Sequence, residues 1–236
     1  MTDLPPSVDL LDTLRSTAAI REFEDTPVDD TTLRRILDTA RFAPNGGNAQ
    51  SWRVVVLRDP EKRRAMRDLY LEGWRLYLAM RAAGLRPWAP VTDRSKEAEA
   101  VAQARVDDDA NGRPFLGEFP EHLDEAPVLL LLLADLRLLA AVDRDLDRYT
   151  FIGGASVYPF AWSLLLAARA EGLGGVITTM PVYREDAVKE LLGVPAEFAV
   201  AGLLALGHPL HQPTRLTRKS VDEFTTVDTF DGPALG

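Results

Sequence analysis

Two polar, glycine-containing loops carry the residues of this chain that are best suited to hold a ligand. Residues 43–52 (Ala-Pro-Asn-Gly-Gly-Asn-Ala-Gln-Ser-Trp) offer amide donors and acceptors from Asn45, Asn48 and Gln50. Residues 171–181 contain the segment Gly-Leu-Gly-Gly-Val-Ile-Thr-Thr. Glycine permits close approach of a backbone, and amides and hydroxyls supply hydrogen bonds, so both loops suit a polar ligand. Either loop alone is also typical of a polar turn or a helix end.

The sequence lacks the usual catalytic signatures. It has no cysteine, which excludes thiolate catalysis and cysteine-based metal sites. It also lacks a P-loop, a Gly-x-Gly-x-x-Gly fingerprint after a first strand and a Gly-x-Ser-x-Gly elbow. Of the three histidines, His208 and His211 are close in sequence, but Pro209 between them disfavours a helical metal pair. We expect no metal site, and a chain that either only binds a ligand or takes its chemistry from a cofactor.

Composition and charge limit the classes of protein to which this chain can belong. It has 236 residues, 46% of them hydrophobic, enough for one domain or one protomer of an intimate dimer. Its formal net charge of -9 disfavours general binding to nucleic acid or to anionic membranes. The first residues lack the basic and apolar parts of a signal peptide, and the longest apolar run is too short to span a bilayer. We therefore expect a soluble, cytoplasmic protein.

Hydrophobic periodicity predicts the helices and strands that must position these loops. Residues 8–17 predict a short amphipathic helix with Leu11 and Leu14 on one face, and residues 154–170 predict a helix that is apolar nearly all round. Further helices are expected at about 30–43, 60–84, 95–110 and 184–192, and strands at 52–57, 127–134, 174–179 and 198–206. Because these elements lack a regular βαβ alternation, we expect an α+β fold with a mixed sheet.

Four segments, in order along most of the chain, resemble the nitroreductase family of flavoproteins. Residues 20–23 (Ile-Arg-Glu-Phe), followed by Pro27, Val28 and a capped helix, resemble its N-terminal motif. Residues 43–52 resemble its Ala-Pro-Ser-x-x-Asn-x-Gln-Pro-Trp motif. Residues 164–181 resemble its Leu-Leu-Ala-Ala-x-x-x-Gly-Leu-Gly motif, with the Thr-Thr-x-Pro ending of a deiodinase-like branch. Residues 218–222 resemble its C-terminal Arg-Lys-Pro-Leu-Glu/Asp motif.

The resemblance implies a nitroreductase-like α+β fold, in which helices flank a central mixed, mainly antiparallel sheet. It also implies an intertwined homodimer with two FMN sites at the subunit interface, each built from both chains. We expect a single domain over residues 1–236, with a C-terminal extension at about 208–236. Residues 85–125, punctuated by prolines, are expected to form a variable insertion, which is either a lid or a solvated surface segment.

Carried over by motif, the resemblance places several residues around the flavin. Arg21 would lie at the N1/C2=O edge of the ring, where a cation stabilises the negative charge of the reduced flavin. Thr17 and Ala19, just before Arg21, are further cofactor positions. Thr178, Thr179 and Met180 would lie near N5 of the ring. Pro44, Asn45 and Asn48 would reach the flavin from the partner chain.

The phosphate end of this site departs from the family pattern. Arg218, with Arg215 as a candidate helper, is expected to hold the phosphate. The family has two basic residues and a serine ahead of the ring arginine, whereas residues 17–19 are Thr-Ala-Ala here, and Arg15 one turn away is a candidate substitute. A charge-assisted bond is worth about 1.5–3 kcal/mol, or roughly one to two decades of affinity. FMN is therefore expected to bind weakly, or its phosphate to be held differently.

The resemblance favours an enzyme in which FMN takes a hydride from NADH or NADPH and passes electrons to a second substrate in a ping-pong cycle. Candidate acceptors are nitroaromatics, quinones or other small conjugated molecules, and we expect Trp88 or Phe119 to face them. Oxidation of a bound substrate and reductive dehalogenation also occur in the family. The alternative is a catalytically weak flavin-binding or small-molecule-sequestering dimer, motivated by residues 17–19. A purely structural or interaction protein would leave four motifs in family order unexplained.

Overall fold

A four-stranded antiparallel sheet lies at the centre of the described structure. The computed structural model describes residues 9–106 and 118–235. The strands are β1 (Trp52–Leu57), β2 (Val128–Asp135), β3 (Gly174–Thr178) and β4 (Phe198–Gly207). Their spatial order is β1-β2-β4-β3, and each neighbouring pair is antiparallel. Valine and leucine dominate β1 and β2, because branched apolar side chains pack well on a pleated surface.

The described residues also form six α-helices and several short 3₁₀ turns. The helices are α1 (Leu10–Ser16), α2 (Asp30–Ala40), α3 (Pro60–Ala82), α4 (Arg94–Val106), α5 (Tyr158–Ala170) and α6 (Glu185–Leu192). Asp29 caps α2 by accepting a hydrogen bond from the Thr32 N–H at 2.8 Å, and Asp59 caps α3 by accepting from the Glu61 N–H at 2.8 Å. Gly193 ends α6 in the left-handed conformation, with φ 63°.

Hydrophobic clusters cover both faces of the sheet. All eight residues of β2 are buried, because successive side chains alternate between the two clusters. Leu130 belongs to the cluster that contains residues of α2 and α5, whereas Leu131 belongs to the cluster that contains residues of α3 and α6. This burial explains why the sequence of β2 shows no polar alternation.

The segment before Arg21 runs beside β3. Ala19 forms an isolated parallel bridge with Gly175, and the Ile20 N–H donates to the Gly175 carbonyl at 2.9 Å. A Cβ on Gly174 would lie 2.7 Å from Ile20 Cγ1, and one on Gly175 would lie 2.4 Å from Leu206 Cδ2. The two glycines are therefore required for packing of this segment and of β4 against β3.

The structure confirms the predicted α+β class and the four strand positions. It corrects the start of α5, because residues 152–156 form a 3₁₀ turn and the α-helix begins at Tyr158. In α1 the polar face, not the apolar face, is buried in the single chain: Thr13 and Ser16 are buried, whereas Leu11 and Leu14 are exposed. In the described ranges, no helix combines the length and apolar character needed to cross a membrane.

Candidate cofactor site

Arg21 is a partly buried cation beside two tyrosines of α3. Burial is the main effect on the pKa of Arg21 and lowers it from its usual value, while Tyr70 and Tyr77 act in the opposite direction. Arg21 forms no ion pair with any residue that the structure describes. A partly desolvated guanidinium without a carboxylate partner is suited to an electron-rich ligand group.

Tyr70 connects Arg21 to the end of β3. Its side chain is almost fully buried on α3. Burial is the largest cause that raises the pKa of Tyr70, and a hydrogen bond with Thr178 and the charge of Arg21 oppose that rise. Tyr70 therefore stays protonated at neutral pH, and it brings the predicted residues Arg21 and Thr178 into one neighbourhood.

A cleft of about 680 Å³ opens next to Thr178, and we call it the aromatic cleft. It is lined by Trp88, Thr150, Tyr158, Thr179, Met180, Val182, Tyr183 and Val200. Trp88 lies between two tyrosine rings, with centroid distances of 6.3 Å to Tyr77 and 6.2 Å to Tyr183. Of the two aromatic residues predicted to face the substrate, Trp88 thus shares a cleft with the cofactor positions Thr179 and Met180.

Helix α3 approaches the Met180 backbone at a glycine. A Cβ on Gly73 would lie 2.9 Å from the Met180 carbonyl oxygen and 3.4 Å from Tyr183 Cβ. Met180 begins a 3₁₀ turn (Met180–Arg184) that leads into α6. Gly73 therefore sets how closely α3 packs against the turn that lines the aromatic cleft.

Phe119 occupies a different position from Trp88. It is buried in the cluster beside α3, where its ring makes an edge-on contact with Tyr70 at 6.3 Å between centroids. It lines a separate cleft of about 770 Å³ together with Arg21. The other lining residues of that cleft include five carboxylates: Glu22, Glu24, Asp25, Glu118 and Glu125.

The loop of residues 43–52, which we call the asparagine loop, lines neither the cleft of Arg21 nor the aromatic cleft. Asn45 shapes the loop itself, because its Oδ1 accepts from the Gln50 N–H at 2.8 Å and its Nδ2 donates to the Ala43 carbonyl at 3.2 Å. The Gly46 N–H donates to Ser156 Oγ at 3.0 Å, which anchors the loop near the start of α5. Pro44 and Asn48 are exposed, and neither lines the aromatic cleft nor the cleft of Arg21.

The predicted phosphate residues surround a third cleft, of about 750 Å³, which we call the arginine cleft. It is lined by Asp12, Leu14, Arg15, Ser16, Arg169, Thr214, Arg215, Leu216 and Arg218. The structure thus brings Arg218 together with both candidate helpers, Arg15 and Arg215. Sequence reasoning missed Arg169, whose one signal is a charge near the end of an otherwise apolar helix.

The two predicted cofactor positions just before Arg21, Thr17 and Ala19, present no free side-chain donor. Thr17 is buried, and its hydroxyl donates to the Thr13 carbonyl at 2.7 Å. Ala19 contributes a backbone bridge to β3. Within the described ranges, no cluster of three or more histidine or carboxylate side chains could hold a metal ion.

Comparison with known proteins gives a consistent result. The family model described as Nitroreductase family matches residues 14–208. A Thermus thermophilus protein named NADH dehydrogenase is 28% identical over 222 residues, covering 82% of this chain and 83% of that protein. The 5,6-dimethylbenzimidazole synthase of Rhodospirillum rubrum is 30% identical over 208 residues, covering 84% and 82%. The crystal structure of nitroreductase A from Vibrio parahaemolyticus has a similar fold, with TM-score 0.61 and 21% identity, and covers 98% of this chain and 79% of that one.

Proposed function

The chain belongs to the nitroreductase family and has its fold, and from this premise we propose that it is an FMN-dependent oxidoreductase that uses NADH or NADPH to reduce a small conjugated acceptor. Family membership supports oxidoreductase activity in general. The cofactor, the nicotinamide donor and the acceptor are the finer parts of the proposal. The similarity to a protein named NADH dehydrogenase supports a reduced nicotinamide as the electron donor.

The observation that carries the proposal is the partly buried Arg21, which has no carboxylate partner among the described residues and lies beside Tyr70. Tyr70 in turn hydrogen-bonds Thr178, the residue before Thr179 of the aromatic cleft. These residues fit FMN. Arg21 suits the ring edge that becomes negative on reduction, and the cleft offers aromatic side chains and the Thr179 hydroxyl to a planar ring and acceptor. The arginine cleft suits a phosphate.

FMN, when bound, would supply hydride acceptance at N5 and electron transfer to the second substrate. The residues of this chain would bind, orient and shield it. Arg21 would stabilise negative charge on the reduced ring, and its partial burial strengthens this interaction relative to water. Trp88 and Tyr183 would hold a flat acceptor against the cofactor, because stacked aromatic rings prefer such contacts.

The alternative of a catalytically weak flavin-binding dimer was motivated by the absence of basic residues at positions 17–19. The four arginines around the arginine cleft weaken that motivation, because they offer cations from other parts of the chain.

The test is an absorption and fluorescence titration of the purified protein with FMN. We expect saturable quenching of FMN fluorescence and a shift of its visible bands, since the ring leaves water for a partly aromatic site. A chain that remains colourless after incubation with excess FMN and removal of free flavin by gel filtration, and that quenches no fluorescence, would refute the proposal.

A further inference from the structure

The arginine cleft concentrates positive charge in an acidic protein. The chain has 36 acidic and 27 basic residues, and many of its arginines are paired with carboxylates, as Arg148 is with Asp143 at 2.8 Å. Arg15, Arg169, Arg215 and Arg218 nevertheless all line this cleft. None of the four forms an ion pair with a residue in the described ranges, and Asp12 is the one carboxylate among the lining residues. Such an arrangement is costly without an anion.

Arg169 is the least expected member of this set. Its Nε is buried and has no hydrogen-bond partner among the described residues. The acidic residue closest to it in sequence, Glu171, is already engaged, because its two carboxylate oxygens accept from Arg35 Nη2 at 2.7 Å and Nε at 3.0 Å. A buried guanidinium N–H without an acceptor indicates a ligand that supplies one.

The hydroxyl groups near the cleft are not free to replace these arginines. Ser16 Oγ donates to the Asp12 carbonyl at 2.7 Å, and the Thr17 hydroxyl donates to the Thr13 carbonyl at 2.7 Å. Gln212 Nε2 donates to the Ser16 carbonyl at 3.0 Å, which holds the start of the C-terminal segment against α1. The charged donors left for an anion are therefore guanidinium groups, and Thr214 adds a hydroxyl to the lining of the cleft.

We propose that Arg169 and Arg15 bind the terminal phosphate of FMN together with Arg218, and that they replace the basic residues and serine that the family carries at positions 17–19. The proposal rests on the proposed function and adds the residues that hold the cofactor. A phosphate monoester carries up to two negative charges and three acceptor oxygens, which matches several converging guanidinium groups.

The test compares dissociation constants for FMN and for riboflavin, which has the same ring without the phosphate, by fluorescence titration. Arg169→Met keeps an apolar stem at this partly buried position and removes the guanidinium. We expect it to weaken FMN binding by roughly ten- to hundredfold and to change riboflavin binding by less than about threefold. Arg15→Ala, at an exposed position, should show the same selectivity, and Arg64→Ala on the exposed face of α3 is the matched control.

Each outcome of this titration decides the proposal. Selective loss of FMN affinity in Arg169→Met, with an unchanged melting temperature, supports it. Unchanged FMN affinity in both arginine variants, or equal loss of FMN and riboflavin affinity, overturns it while leaving flavin binding intact. A wild-type protein that binds neither flavin overturns the proposed function, and this inference with it.

Discussion

Arg21 is the residue on which the chemistry of the proposed site depends most. Its guanidinium is partly buried, has two tyrosine neighbours and lacks a carboxylate partner among the described residues. An interaction with negative charge at this position is stronger than in water, because fewer water molecules screen it. It should therefore favour the reduced cofactor over the oxidised one.

Replacement of Arg21 by methionine should slow reduction of bound FMN by NADH or NADPH by roughly ten- to hundredfold, since one charge-assisted contact in the transition state is lost. The rate is measured by anaerobic stopped-flow absorption with saturating FMN. Arg21→Lys, which keeps the charge, should recover part of the rate. Equal reduction rates in wild type and Arg21→Met would contradict the role given to this residue.

Tyr70 gives a prediction about pH. Its folded-state pKa is raised above its usual value of about 10 by burial. The proton on Tyr70 therefore stabilises the folded state fully below pH 10, and this contribution is lost as pH rises from 10 through the folded pKa.

We expect Tyr70→Phe to reduce the loss of thermal stability as pH rises above about 10, compared with wild type. Melting curves at closely spaced pH values measure this loss, and Tyr149→Phe, at an exposed position, is the control. Parallel stability profiles for wild type and Tyr70→Phe would show that Tyr70 is not the group that titrates.

At the scale of elements, sequence periodicity is enough to place the strands and most helices. The uninterrupted apolar run of β2 could be predicted as a buried strand, because burial on both faces removes any alternation. The exposure of the apolar face of α1 could not be predicted from the sequence, because periodicity identifies an apolar face but not what packs against it. Residues 107–117 of the predicted insertion lie outside the described residues.

Part of the candidate site could also be predicted from the sequence. The motifs brought Arg21, Thr178 and Arg218 to attention, and the structure places the first two near each other and the third in the arginine cleft. Arg169 could not be selected, because a basic residue in the last turn of a helix is already explained by the helix dipole. The different positions of Trp88 and Phe119 likewise depend on tertiary packing around α3.

The contact between α3 and the Met180 turn gives a prediction at this scale. Gly73→Ala should gain roughly 1 kcal/mol of helix propensity in isolation. In the folded chain its Cβ would lie 2.9 Å from the Met180 carbonyl oxygen, so the helix or the turn must move.

We therefore expect Gly73→Ala to lower the melting temperature and to weaken FMN binding, because Met180 lines the aromatic cleft. Differential scanning calorimetry and flavin titration measure the two effects, with Arg64→Ala on the exposed face of the same helix as control. An increase in stability with unchanged flavin affinity would show that helix propensity outweighs the contact.

At the scale of the whole molecule, several apolar side chains are exposed in the single chain. Trp162 of α5 is 42% exposed and Leu11 of α1 is 56% exposed. The asparagine loop, which the family pattern assigns to the cofactor of the partner chain, does not line the cleft of Arg21 in the single chain. Both observations suit the homodimer that the resemblance implies.

We expect a solution mass of about twice the 26.0 kDa of one chain, measured by light scattering. Trp162→Glu should shift the protein towards monomers and weaken FMN binding in parallel, since each site would lose the partner's loop. Arg144→Glu, at an exposed position, is the control for an added carboxylate. A wild-type monomer that binds FMN tightly would contradict the two-chain site.

We propose that electrons pass from a reduced nicotinamide to bound FMN and then to a second substrate. Anaerobic reduction of the FMN-loaded protein tests this proposal most directly. Addition of NADH or NADPH without oxygen should bleach the visible flavin absorption, and later addition of a quinone or nitroaromatic acceptor should restore it. An FMN-loaded protein whose absorption neither nicotinamide changes would contradict the account.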